Sequence, residues 1–120
     1  MNHSKNADVK ALVINAIEGV PTRGGAFHIK PLLQGELMSL LEVHLQPGVA
    51  SAPHAHAHES LVYVVSGRIK TVVGNEVLVL GPGDVGRHPL GVAHSVEALE
   101  EALFLEIKSP APDIASVLAS

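Results

Sequence analysis

Apolar and polar residues alternate along this chain in short runs, and no run carries a convincing helical stripe. From Leu37 to Leu45 the alternation sets Leu37, Ser39, Leu41, Val43 and Leu45 on one face and Met38, Leu40, Glu42 and His44 on the other. That period of two is the mark of a half-buried strand. Ser60 to Ser66 contains Leu-Val-Tyr-Val-Val, apolar on both faces, which predicts a central strand or one whose outer face a partner covers. Ile69–Val73 and Glu76–Leu80 flank Gly74-Asn75, a two-residue hairpin link. Ala11–Ile17, Val92–Val96 and Leu103–Ile107 read as further strands. Phe27–Leu33 is a weaker one, which Pro31 demotes to an edge or a bend. Val20–Gly25, Gln46–Gly48 and Gly81–Asp84 read as loops and turns. Many short strands separated by turns predict an all-β sandwich or barrel.

The length of 120 residues suits one domain. Its expected parts are a polar N-terminal tail over 1–10, a barrel over 11–109, and a C-terminal tail or short helix over 110–120 capped by Asp113. Hydrophobic residues make up 47% of the chain, too many for disorder, and aromatics only 2%, so the core is aliphatic. One Tyr and no Trp leave no stacking platform for single-stranded nucleic acid, and the net charge of −4 opposes a phosphate backbone. No nucleic-acid partner is expected. No apolar run is long enough to span a bilayer, and the polar N-terminus lacks an apolar signal core. The expectation is therefore a cytoplasmic protein with no membrane partner. Cysteine is absent, so any metal is held by nitrogen and oxygen ligands.

The most distinctive stretch is Pro53-His-Ala-His-Ala-His-Glu59. In an extended segment His54 and His56 project into one space, and a third imidazole from a neighbouring strand, such as His94, completes a site. Neutral imidazole is the common ligand for borderline divalent metals.

Two longer spacings enclose these histidines. Gly48 is followed by five residues, then His54-Ala-His56, then three residues to Ser60 and six more to Gly67. Gly83 is followed by five residues, then Pro89-Leu-Gly91, two residues, His94, and three residues to Ala98. In both, the chain resembles the cupin superfamily, as a small single-domain cupin of the type-2, conserved-barrel kind. The resemblance implies a cupin double-stranded β-helix, a jelly-roll-type barrel. It also implies that His54, His56 and His94 hold one divalent transition metal per chain, zinc, nickel, manganese or iron. Two positions depart from the family pattern: Ser60 replaces the carboxylate ligand and Ala98 replaces an Asn. Ser60 is a metal candidate directly or through water. A hydroxyl is a poorer ligand than a carboxylate, and the exchange raises the site's net charge and frees a coordination position. Glu59, one residue away, faces the opposite side of a regular strand unless a bulge turns it inward.

The catalytic candidates are His58 as a proton shuttle or extra ligand, Glu59 as a base, Tyr63 as a phenol, and His88. One of His88 and Arg87 lines the barrel. The expected function is a metal-dependent enzyme acting on a small organic molecule by non-redox lyase, isomerase or cyclase chemistry. An iron-dependent three-His dioxygenase and a non-catalytic binding or sensing module remain as alternatives. The apolar outer face of Leu61–Val65 predicts a homodimer.

Overall fold

The structure is a computed structural model and describes residues 2–111. After a short 3-10 turn at Asn6–Asp8 the chain forms β1 (Leu12–Ile14), β2 (Ala16–Ile17), β3 (Val20–Pro21), β4 (Phe27–Gln34) and β5 (Ser39–Leu45). It continues with β6 (Glu59–Ser66), β7 (Ile69–Val73), β8 (Glu76–Leu80), β9 (Val85–His88), β10 (His94–Ala98) and β11 (Ala102–Ser109). One sheet has the order β1-β4-β5-β11-β6-β9 and a second the order β10-β7-β8, while β2 and β3 form a small hairpin. All named pairs are antiparallel. The architecture is all-β, as the alternation predicted, and is the jelly-roll-type barrel that the resemblance implied.

Period-two patterning sets the inner wall. In β5 the buried residues are Ser39, Leu41, Val43 and Leu45, and in β6 they are Ser60, Val62 and Val64. The apolar ones among these pack with Phe27, Ile69, Val96 and Phe104 in one core. Residues 48–54 run beside β10 outside any named strand. The amides of Gly48, Ser51 and His54 donate to the carbonyls of Ala98, Val96 and His94. Gly67 closes the β6–β7 turn with φ +76, and a Cβ there would meet the Glu101 carbonyl oxygen at 2.0 Å, so only glycine fits.

Four elements differ from the expected ones. Ala11–Ile17 divides into β1 and β2, because Ala16–Ile17 turn away to pair with Val20–Pro21, inside what reads as a loop. Pro31 does not send β4 to an edge. It lies where the β4–β5 register shifts, and β1 begins opposite Ile29, short of Pro31, so a missing amide is tolerated. Val85–His88, unassigned from the sequence, forms β9 against β6. The N-terminal segment is tied down: Ser4 bonds the Leu32 carbonyl, and Asn6 bonds Glu42 and Lys30. The helix expected after Asp113 lies outside the described residues.

Candidate metal centre

The ligand atoms of His54, His56 and His94 lie within 4.8 Å of one another. Two backbone devices bring them together. His54 and His94 face each other across a bridge, with N–H···O distances of 2.9 and 2.8 Å in the two directions. His56 is held two residues on, where Gly91 donates to its carbonyl at 3.0 Å. The ring centroids are 4.6 Å apart for His54–His56, 4.3 Å for His54–His94 and 5.2 Å for His56–His94.

Each of the three rings has its Nδ1 bound to an oxygen. His54 Nδ1 donates to the Ala52 carbonyl at 2.8 Å, His94 Nδ1 to the Val92 carbonyl at 3.3 Å, and His56 Nδ1 to the Glu18 carboxylate at 2.6 Å. A proton on Nδ1 fixes the tautomer and leaves the Nε2 lone pair free to ligate. Two of the rings are also electrically ready. Burial first, then Lys108 and the imidazoles of His54, His58 and His94, push His56 down to about 2. Burial, His88 and His54 hold His94 down at about 4, against the Val92 carbonyl and Glu106. Three convergent imidazoles on rigid backbone suit one divalent transition metal.

His88 has the opposite tautomer. The Thr71 hydroxyl donates to the Ser95 carbonyl at 2.9 Å, so it accepts from His88 Nε2–H at 2.8 Å. The bare Nδ1 faces the Ser60 hydroxyl at 3.4 Å. His88 is 2% exposed and stacks on His94 at 4.1 Å. Burial lowers its pKa, and it lines the cavity without joining the trio. His58 also lines the cavity. It stacks on His56 at 4.4 Å, and its buried Nε2 has no hydrogen-bond partner among the described residues. Burial and Lys108 bring it down to about 4.

Ser60 points inward and is 2% exposed. Glu59 and Tyr63 require correction as site residues. Strand alternation turns both outward, Glu59 to an ion pair with Arg87 at 3.6 Å and Tyr63 to the outer sheet face, 48% exposed. Of His88 and Arg87, His88 is the one inside.

Two charged residues inside the barrel were missed. Lys108, only 8% exposed, and Glu106 both line the cavity from β11. The signal was available: alternation from Phe104 puts 104, 106 and 108 on one face. The cavity measures about 340 Å³, and Ile14, Phe27, Val43 and Phe104 form its apolar side. That is small-molecule size.

Known proteins share this fold. Residues 41–108 match the family model described as "Cupin domain". An uncharacterized protein of Streptomyces coelicolor is 29% identical over 103 residues, covering 85% of this chain and 97% of the relative. The structure of KdgF from Halomonas sp. superposes with a TM-score of 0.79 at 23% identity, covering 95% of this chain and 99% of that one. A predicted oxalate decarboxylase from Thermotoga maritima superposes with a TM-score of 0.77 at 18% identity, covering 89% and 97%. At these identities the structural matches speak for the fold.

Proposed function

The chain belongs to the cupin domain family, and on that premise we propose that it is a metal-dependent enzyme acting on a small organic molecule by non-redox chemistry of the lyase, isomerase or cyclase kind. One observation carries the reading: all three histidines of the trio commit Nδ1 to an oxygen and keep Nε2 for a ligand. When bound, a divalent ion supplies Lewis-acid polarisation of a carbonyl or enolate oxygen.

The chain's own residues supply the rest. The apolar side of the cavity, with Ile14, Phe27 and Phe104, excludes water and packs the carbon skeleton of a small ligand. Beside the trio stand groups able to accept a proton at neutral pH: His58, with a low pKa and a free Nε2, and His88, whose bare Nδ1 reaches the Ser60 hydroxyl. This ring of proton acceptors supports proton-transfer chemistry over oxygen activation.

The test is metal analysis of protein purified without chelator, followed by turnover assays under nitrogen. About one ion per chain, and a reaction that proceeds without dioxygen, supports the proposal. Substrate-dependent dioxygen consumption by the iron form would replace it with an oxygenase. A folded chain that takes up no ion would leave a binding module.

A further inference from the structure

We propose that Glu106 is the carboxylate of this metal site, supplied by β11 in place of the serine at position 60 of β6, and that it acts on a bound cation at one remove while offsetting the buried Lys108 ammonium. The inference rests on the metal reading above and goes beyond it by giving two untouched charges a role.

Position 60 points into the barrel but carries a neutral hydroxyl. The strand register shows what stands beside it. Ser60 lies opposite Lys108, and Glu106 lies opposite Val62. Glu106 is thus the diagonal neighbour of Ser60 on the inner face, within reach of a long side chain. The Ser60 hydroxyl, with His88 and His94, favours the charged form of the Glu106 carboxylate. That hydroxyl lies 3.4 Å from His88 Nδ1. Glu106 does not belong to the trio whose ligand atoms lie within 4.8 Å. Its influence on a cation there is therefore electrostatic or passes through a hydrogen-bonded intermediary, as with outer carboxylates at metal sites.

Lys108 supplies the reason for a carboxylate. Its ammonium lies in the same cavity, close enough to His56 and His58 to disfavour positive charge on either. A divalent ion at the trio meets the same repulsion. Glu106 Oε1 lies 3.7 Å from Lys108 Nζ, an ion pair longer than a hydrogen bond. Burial pushes the Glu106 carboxyl up, but Lys108, His88, Ser60 and His94 outweigh it and hold Glu106 below the usual carboxylate range. Without Glu106 the ammonium and a divalent cation would keep only the half-exposed Glu18 carboxylate among the described cavity-lining residues, a costly arrangement.

The opposite charges of the pair give a test by sign. Dissociation constants for zinc and manganese are measured by chelator competition on the full chain at neutral pH, with thermal melts as a control for folding. Glu106→Gln is expected to weaken binding by about 10-fold or more, and Lys108→Met to tighten it by about 3-fold or more. Ser60→Glu should recover the loss in the Glu106→Gln background and gain much less in the wild type. A merely structural pair would weaken binding in both single variants. A folded Glu106→Gln chain that binds like wild type, or a Lys108→Met chain that binds no tighter, overturns the inference. If Glu106→Gln does not fold, Lys108→Met alone decides by the same criterion. A folded wild-type chain that binds neither ion defeats the metal reading itself, which is a different result from equal binding by wild type and variants.

Discussion

Glu18 and His56 lie 38 positions apart in sequence and are joined by a 2.6 Å hydrogen bond. Glu18 occupies the β2–β3 turn with φ 51, a left-handed conformation that Gly19 beside it also adopts at φ 76. A glutamate there is strained, and the contact gives the strain a purpose: the carboxylate fixes the tautomer of one histidine of the trio. Glu18→Gln is expected to lower metal affinity by about 10-fold or more. Glu18→Gly should lower it similarly while relieving the turn, so that the melting temperature of the metal-free protein holds or rises. Loss of stability without loss of affinity would make Glu18 a purely structural residue.

Single alanine substitutions at His54, His56 and His94 should each remove bound metal, read as metal content after gel filtration. His58→Gln should retain it, because His58 stands outside the trio. If His58 carries protons, turnover on an identified substrate should fall by about 10²-fold or more. Loss of metal in His58→Gln would instead make it a fourth ligand.

The metal-free protein should lose stability in acid. His94 and His58 titrate near 6.5 when unfolded and at about 4 in the folded chain, and His56 at about 2. Groups whose folded pKa is depressed contribute stability that is fully present above the unfolded pKa and fades as pH falls toward the folded one. The loss therefore begins below about 6.5, runs to about 4 for His94 and His58, and continues to about 2 for His56. For His94, the slope approaches about 1.4 kcal/mol per pH unit. Urea melts across this range check it, and constant stability from neutrality to the lower limit would contradict it.

Leu61, Tyr63 and Val65 on β6, with Val85 and Ile107 beside them, leave an apolar outer face exposed. A second copy covering this face is the expected state, and Leu61→Glu should shift the protein toward monomer. Light scattering at micromolar concentration measures both. A monomeric wild type would remove the homodimer.

Where function was carried by spacing along the chain, the sequence could be read. His54, His56 and His94 stand at motif intervals, and the Gly74-Asn75 link foretold the β7–β8 hairpin, whose register runs from Ile69↔Leu80 to Val73↔Glu76. Where function was carried by contact between distant segments, it could not. Nothing near Glu18 points to His56, and the tautomer of His88 depends on Thr71, 17 positions away. Glu106 and Lys108 form a third case. Their phase with Phe104 was present, but charged residues are so often solvated that alternation alone did not place them inside.

The paired backbone bonds between His54 and His94 make these two residues neighbours through their amides as well as their rings. Whatever steadies the rings also steadies that small ladder, which no regular strand reinforces on the His54 side. The exchange rates of these two amide protons thus become a local gauge of site occupancy. Slowing on addition of an ion would register there while the β7–β8 hairpin stayed unchanged, and the state of the centre could be followed without a substrate.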